Sequence, residues 1–333
     1  HGMGDLIIEN DTAYNINIKI FNKLQHTITG WPGGKPDVDD TYRPERALPA
    51  KKKIIIFSPH PDDDVISMGG TFLRLVDQGH EVHVAYQTSG NIAVFDEEVV
   101  RFADFYVDLK NNYEDQPAKT NSLYKKVLQA ISNKKSGEID TDIVQNIKSL
   151  IRRGEAKAAC RYVGIPDEHV HFLDMPFYET GAIEKNPIGD ADIEIITELI
   201  TAIKPDQIYA AGDLSDPHGT HRVCLDAIFK SIESLKKSSF MSNCWLWLYR
   251  GAWQEWSVEE IEMAVPLSPS EVLRKKKAIF KHQSQKDTAV FPGSDEREFW
   301  QRAADRNQET ANRYHQLGLA EYEAIEAFKR YYF

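Results

Sequence analysis

The sequence contains few cysteines, and their spacing excludes several kinds of site. Cys160, Cys224 and Cys244 are the three cysteines among 333 residues. They are odd in number, lie far apart and form no Cys-x-x-Cys motif, which argues against a disulfide framework. We interpret them as reduced, mostly buried thiols and therefore expect a cytoplasmic protein.

Positive charge and long apolar runs are also scarce. The 40 Lys and Arg residues are outnumbered by 51 Asp and Glu residues, and the formal net charge is −11. Because a phosphate backbone repels an acidic surface, we expect no broad nucleic-acid-binding face. No apolar run approaches the roughly 18 residues that predict a bilayer span. Asp5 and Glu9 interrupt the segment in which a signal peptide needs an apolar core, so we expect no membrane partner.

Short apolar segments alternate with amphipathic segments along most of the chain. Candidate strands cover residues 54–58, 81–88, 169–173, 207–211, 243–250 and 261–267. Candidate helices cover residues 69–78, 140–164, 192–203, 220–236, 268–283, 295–317 and 319–330. This alternation predicts an α/β fold with a doubly wound, mostly parallel, Rossmann-like sheet.

The first 50 residues differ in pattern from the rest. Residues 5–28 show no firm period, and residues 29–36 are rich in Pro and Gly, which is typical of a linker or an ordered arm. We predict that residues 1–50 form an N-terminal arm or the tail of an upstream domain. Residues 51–333 are predicted to form the main domain.

The most informative segment is an apolar run that ends in a histidine and three carboxylates. The strand predicted over residues 54–58 leads directly into residues 59–64, which read Pro-His-Pro-Asp-Asp-Asp. Open α/β sheets place their active sites at the carboxyl ends of their strands. These side chains are therefore predicted to face a cleft.

A second polar cluster, Asp216-Pro217-His218-Gly219-Thr220-His221, follows the strand predicted over residues 207–211. Zinc at a catalytic site takes about three protein ligands and leaves one position open. His60, Asp63 and His221 supply two imidazoles and one carboxylate, which suit such a site. A His-x-x-His or an Asp-rich turn is common by chance, but two such clusters that each follow a predicted strand favour a metal site.

Asp62 and His218 are the candidates for proton transfer. Adjacent residues on a tight turn point in different directions, so Asp63 can bind a metal while Asp62 accepts a proton from water that the metal activates. His218 lies three residues before His221 at the start of a predicted helix, and the two share a helix face. It can therefore stabilise an oxyanion and protonate a leaving amine.

The first cluster resembles the signature of the PIG-L/LmbE-like deacetylases, which usually reads Ala-His-Pro-Asp-Asp-Glu. Arg152-Arg153-Gly154-Glu155, Lys204-Pro205-Asp206 and, more weakly, His282-Gln283-Ser284-Gln285 are similar to further motifs of this family. The resemblance implies a sheet of the LmbE-like type. It also implies a zinc-dependent enzyme, with ferrous iron as the alternative metal, that removes the acetyl group from an N-acetylglucosamine-type amino sugar.

The resemblance carries over to individual residues. It implies that His60, Asp63 and His221 ligate the metal. It further implies that Asp62 is the general base and that His218 is the general acid or oxyanion stabiliser.

Two positions depart from the family pattern. The usual Glu after Asp-Asp is Asp64, a shorter carboxylate that has less reach to support the ligands. The Asp that normally pairs with the acidic histidine is Thr220, and Asp213 or Asp216 is a candidate to replace it. These departures keep a second function open, namely a sugar- or metal-binding module with little or no catalysis.

Three further residues are candidates for substrate binding because of their positions. Ser89 and Asn91 follow the strand predicted over residues 81–88, and Tyr178 follows the strand predicted over residues 169–173. We therefore expect them to line the mouth of the cleft.

LmbE-like modules also occur downstream of a glucosamine-6-phosphate deaminase-like domain in larger bacterial proteins. A helix-like segment followed by a Pro- and Gly-rich linker suits the C-terminal part of such a fusion. An N-acetylated glucosamine or its phosphate is then the expected small-molecule substrate. The sequence leaves open the acyl chain, the phosphorylation of the sugar and the oligomeric state.

Overall fold

A seven-stranded sheet forms the centre of the described part of the chain. The computed structural model describes residues 2–9, 12–34, 51–113, 117–135, 137–182, 184–212, 219–251, 254–285 and 297–333. The strands are β1 (Lys53–Ser58), β2 (Glu81–Tyr86), β3 (Val170–Phe172), β4 (Gln207–Ala211), β5 (Trp245–Tyr249), β6 (Met263–Leu267) and β7 (Ala324–Tyr331). The helices are α1 (Met3–Glu9), α2 (Ala13–Gln25), α3 (Asp63–Asp77), α4 (Asp96–Tyr113), α5 (Pro117–Asn133), α6 (Asp142–Val163), α7 (Asp190–Ile203), α8 (Thr220–Leu235), α9 (Pro269–Ile279) and α10 (Phe299–Gln316). Within the described ranges, no helix combines the length and the apolarity that a membrane crossing requires.

The strands lie in the order β3-β2-β1-β4-β5-β7-β6. The first five in this order are parallel, whereas β7 runs antiparallel to both β5 and β6. The predicted α/β fold with a mostly parallel, doubly wound sheet is confirmed. The chain builds β2 and β3 on one side of β1 and then crosses to β4 on the other side. At such a switch point the carboxyl ends of the two central strands border a crevice.

Both faces of the sheet are covered, which explains why β1 is apolar at successive positions. Ile54 and Ile56 pack on the face covered by α3, α6 and α9, whereas Ile55 and Phe57 pack on the face covered by α7 and α8. None of these four side chains has exposed surface. The burial of each contributes about 1.5–3 kcal/mol, so β1 is held firmly where the polar cluster begins.

The helix predicted over residues 319–330 is wrong, because this segment contains strand β7. Residues 324–328 are all buried, with Ile325 on one face of the sheet and Phe328 on the other. A short apolar run that is buried on both faces cannot be distinguished from a buried helix by its spacing alone. Pairing with β5 and β6 decides the outcome.

Helix α3 begins at Asp63, earlier than the predicted start at Gly69. Met68 interrupts the helix with φ −135° and ψ 26°. The helix therefore consists of a first turn that carries Asp63 and Asp64 and a longer segment from Gly69 onward. The sequence indicated only the longer segment, because consecutive carboxylates are typical of a loop.

Part of the N-terminal segment, residues 24–29, is attached to the sheet. The Thr29 N–H donates to the Ala264 carbonyl at 2.9 Å, and the Ala264 N–H donates to the Thr27 carbonyl at 2.8 Å. Leu24 in α2 is buried in the core. This segment thus packs along β6, and the domain boundary at residue 50 stays a prediction.

Three histidines stack at the edge of the sheet formed by β2 and β3. The centroid of the His83 ring lies 4.0 Å from that of His169 and 5.3 Å from that of His171. Burial, together with the neighbouring His169, lowers the pKa of His83 to about 4, against the opposing effect of Glu81. His83 is therefore neutral in the folded protein at neutral pH.

Acidification should destabilise the protein in part through His83. Its pKa is about 4 in the folded chain and about 6.5 in an unfolded chain. The unfolded chain thus binds more protons between these values, and stability falls as the pH decreases through this window. The variant His83→Asn lacks this site, so its free energy of unfolding should decline less on acidification. Urea denaturation across this pH range measures the effect, and equal declines for both proteins would contradict it.

Candidate active site

The end of β1 and the start of α3 form a tight turn that presents three consecutive carboxylates. Asp62 has φ 140°, and a positive φ is uncommon for a residue with a side chain and often marks a functional site. Its carbonyl accepts the Ile66 N–H at 2.9 Å, which starts the helix. The Ser58 hydroxyl donates to the His60 carbonyl at 2.6 Å and accepts the Asp64 N–H at 3.1 Å. These bonds close the turn from both sides.

His60, Asp63 and His221 converge at the carboxyl end of the sheet and together form the ligand cluster. Asp63 Oδ2 lies 3.2 Å from His60 Nδ1 and 3.2 Å from His221 Nε2. One candidate ligand atom from each residue lies within 4.8 Å of the other two. The structure thus brings His60 and Asp63, which follow β1, close to His221 of α8, which follows β4 in the chain. Their role as metal ligands remains a prediction.

The donor set of the ligand cluster fits a divalent metal. Two imidazoles and one carboxylate are a common three-ligand set of catalytic zinc sites, which keep a further position open. Burial works to raise the pKa of Asp63, but His221 and His60 outweigh it and hold the pKa of this carboxyl well below its usual range. Asp63 is therefore ionised, as a metal ligand must be.

A buried arginine holds Asp62. Arg152 of α6 is 1% exposed, and its Nη2 lies 3.2 Å from Asp62 Oδ2. Burial raises the pKa of Asp62 to about 6 against the opposing effect of Arg152, and the neighbouring Asp63 adds to the increase. A carboxylate with such a pKa is suited to accept and release protons near neutral pH.

Asp64 is fully buried and has partners in the interior. The Tyr86 hydroxyl donates to Asp64 Oδ2 at 2.9 Å, and Ser58 Oγ lies 3.5 Å from Asp64 Oδ1. Burial raises the pKa of Asp64 to about 7, although the hydrogen bond from Tyr86 opposes this increase. The shorter carboxylate therefore has a defined place, while its expected role in supporting the ligands stays a prediction.

The three residues expected at the mouth of the cleft, Ser89, Asn91 and Tyr178, are all buried. Ser89 donates through its N–H and its hydroxyl to the two oxygens of Glu179, each at 2.8 Å. The Tyr178 ring contacts the His60 ring edge-on, with 5.7 Å between the ring centroids. Tyr178 thus lies beside a candidate ligand. Substrate binding by the three residues remains a prediction.

His218 and Asp216 lie outside the described residues. The described chain resumes at Gly219 and enters α8 at Thr220, which is buried next to His221. The proton-donor role of His218 and the supporting role of Asp216 therefore remain predictions from the sequence.

Arg152 belongs to a segment that is similar to a motif of the family, but the sequence alone indicated no role for Arg152 in the site. The signal that could have identified it is charge on the buried face of α6. Lys148, Arg152 and Glu155 recur there at helical spacing and are all buried, as is the neighbouring Ile151. Buried charges need partners, and such groups are frequent at functional sites.

Comparison with known sequences identifies two matches. A protein-family model described as "PIG-L: GlcNAc-PI de-N-acetylase" matches residues 55–232. A relative from Bacteroides thetaiotaomicron, named as a glucosamine-6-phosphate deaminase-like protein, is 58% identical over 336 residues. That match covers 99% of this chain and 50% of the relative, so the chain spans about half of the relative's length.

Comparison with solved structures supports the fold. N,N'-diacetylchitobiose deacetylase from Pyrococcus horikoshii gives a TM-score of 0.55 at 18% identity, covering 96% of this chain and 93% of that one. The 4-carboxy-2-hydroxymuconate hydratase GalB from Pseudomonas putida gives a TM-score of 0.51 at 15% identity, covering 84% of this chain and 96% of that one. At these identities the similarity shows a shared fold alone.

The family match extends over more than half of the chain and includes all three residues of the ligand cluster. It supports a hydrolase of the N-deacetylase type and confirms the family resemblance seen in the sequence motifs. The chain belongs to the PIG-L, or GlcNAc-PI de-N-acetylase, family.

Proposed function

We propose that this protein is a zinc-dependent hydrolase that removes the N-acetyl group from an N-acetylglucosamine-type amino sugar. The observation that carries the proposal is the ligand cluster, with Asp62 held beside it by the buried Arg152. A three-ligand metal site next to a positioned carboxylate is suited to the activation of water for hydrolysis. The description of the family and the name of the chitobiose deacetylase support an acetylated amino sugar as the substrate class.

The proposed reaction uses a metal and two proton-transfer groups. When bound, zinc would act as a Lewis acid that polarises the amide carbonyl and lowers the pKa of water, and ferrous iron is the alternative metal. Asp62 accepts the proton that the attacking water releases, and Arg152 keeps the Asp62 carboxylate in place. A proton must also reach the departing amine, and His218 is the proposed donor because of its position in the sequence.

We further propose that the chain acts beside a deaminase-like region in a longer protein, as the name and the length of the Bacteroides relative suggest. Deacetylation of an N-acetylglucosamine phosphate releases the free amine that a glucosamine-6-phosphate deaminase consumes. The two activities would then act in sequence on one sugar. This makes the 6-phosphate the preferred candidate substrate.

Replacement of the proposed base should abolish most of the activity without loss of the metal. In Asp62→Asn, the amide cannot accept the proton, so the turnover number should fall by about 10²–10⁴-fold. The measurement is acetate release from N-acetylglucosamine and its 6-phosphate by zinc-reconstituted protein, with the bound zinc quantified in parallel.

The matched control is Asp77→Asn, which changes an exposed carboxylate at the other end of α3 and should retain full turnover. Undiminished turnover in Asp62→Asn would show that Asp62 is not the base. If the unaltered zinc-loaded protein released no acetate from either sugar, the substrate would be a different N-acyl amine or the chain would be a binding module.

Removal of one proposed ligand should release the metal. His221→Ala leaves one imidazole and one carboxylate, which is fewer than the about three protein ligands of a catalytic zinc site. After dialysis, elemental analysis should find stoichiometric zinc in the unaltered protein and in His315→Ala, a control on α10. Full retention of zinc by His221→Ala would remove His221 from the ligand set.

Loss of the arginine that holds Asp62 should affect turnover more than substrate binding. In Arg152→Met the Asp62 carboxylate loses its ion-pair partner, so kcat should fall while KM and the zinc content change little. Arg152→Lys should restore kcat because it returns the positive charge. The restoration should be partial, because Lys lacks the planar guanidinium group of Arg. Steady-state kinetics separate the two constants, and a change confined to KM would assign Arg152 to substrate binding instead.

A further inference from the structure

The break in α3 leaves backbone groups that need partners. After Met68 a new helical segment begins, and the first N–H groups of a helix find no carbonyl partners within that helix. The carboxylate of Glu326 takes two of them. Its Oε1 accepts the Gly70 N–H at 2.9 Å, and its Oε2 accepts the Thr71 N–H at 2.6 Å. A residue of the last strand thus caps the second segment of α3.

Glu326 is fully buried and remains charged. Lys275 of α9 donates from Nζ to Glu326 Oε1 at 2.7 Å and to Asn307 Oδ1 of α10 at 2.7 Å. Burial works to raise the pKa of Glu326, but Lys275 and the N–H groups of α3 hold it below its usual value. A negative charge at this position is further stabilised by the dipole of the helical segment that it caps.

A second buried cation, Arg306, donates a hydrogen bond to a backbone carbonyl on the other side of the break. Arg306 of α10 donates from Nη2 to the Ser67 carbonyl at 3.2 Å and from Nη1 to the Arg250 carbonyl at 3.0 Å. Glu255 lies 3.2 Å from Arg306 Nε. Glu326 and Arg306 therefore satisfy the backbone on the two sides of Met68.

The packing around the break allows little adjustment. A Cβ atom on Gly70 would lie 2.4 Å from Cδ1 of Leu267, and one on Gly69 would lie 3.0 Å from Cγ of Lys275. The side chains of β6 and α9 thus contact the backbone of α3 directly. Any shift of the break would disturb these neighbours.

We propose that Glu326 is a positioning residue for the ligand cluster and acts through the break in α3. This inference rests on the proposed function, because it concerns the metal centre of that function. The first turn of α3 begins at Asp63 and ends at Ser67, and a single helical turn is not stable by its own hydrogen bonds. It is fixed by β1 at one end. At the other end it is fixed by Arg306 at the Ser67 carbonyl and, across the break, by the Glu326 carboxylate that holds Gly70 and Thr71.

Precise placement of this turn matters for metal binding. Ligand constellations need to be held to within about 0.5 Å of their productive geometry. Loss of the Glu326 carboxylate would remove the anchor of the segment that follows the first turn, so the position of that turn and of Asp63 would be less precisely fixed, although no ligand is altered. Partners that orient metal ligands typically contribute about 10–100-fold to metal affinity.

Glu326→Gln tests the proposal. The amide retains the size of the side chain, but its NH₂ group has to face a backbone N–H or the Lys275 ammonium. Co²⁺ serves as the probe, because calorimetry gives its affinity and its visible absorption reports the geometry of its ligands. We expect the Kd for Co²⁺ to increase about tenfold or more, with an altered absorption spectrum.

The matched control is Ile325→Ala, the neighbouring residue of β7, whose side chain is buried on the opposite face of the sheet. It should destabilise the strand in urea denaturation while the affinity and the spectrum of Co²⁺ stay unchanged. An unchanged affinity in Glu326→Gln, or an equal loss in Ile325→Ala, would overturn the positioning role alone. Failure of the unaltered protein to bind Co²⁺ would overturn the proposed metal centre and this inference with it.

Glu326→Asp covers the case in which Glu326→Gln does not fold. It keeps the charge beside Lys275 but shortens the side chain by one methylene, so it cannot reach both N–H groups equally well. We expect a smaller increase in the Kd for Co²⁺, and an unchanged affinity would overturn the positioning role.

Discussion

The burial of three consecutive carboxylates at the end of β1 is the constraint on which the rest of the site depends. A buried carboxylate is stable in its ionised form only when charges or hydrogen-bond donors compensate it. The partners are His60 and His221 for Asp63, Arg152 for Asp62, and Tyr86 for Asp64. These groups come from different strands and helices, so the site can form only when the whole α/β layer structure has closed around β1.

Different partners give adjacent carboxylates different protonation states. The histidines hold the pKa of Asp63 well below its usual range despite its burial, whereas burial raises the pKa of Asp62 to about 6 and that of Asp64 to about 7. One carboxylate is therefore ionised, as its proposed role in metal binding requires, and its neighbour can exchange a proton near neutral pH. Environments that push the pKa values of neighbouring groups apart are how acid–base roles are divided in enzymes.

The convergence of His60, Asp63 and His221 could be predicted because each of two local sequence patterns indicated part of it. Each was a polar segment directly after an apolar strand, and parallel strands bring such segments to one edge of the sheet. The contacts of Arg152 with Asp62 and of Glu326 with α3 could not be predicted in this way, since these partners lie far apart in the sequence and only tertiary packing brings them together. The wrong helix over residues 319–330 has the same origin, because β7 is a strand only through its pairing with β5 and β6.

The fold alone does not decide the reaction, since a deacetylase and a hydratase share it. The reaction must then be decided by the residues around the ligand cluster. Asp64 is shorter than the usual Glu but keeps a hydrogen bond from Tyr86 in the interior. Thr220, by contrast, is buried beside His221 and has no charge with which to orient or tune a neighbouring histidine. We therefore expect this chain to differ from its family more in the proposed delivery of a proton than in the proposed binding of a metal.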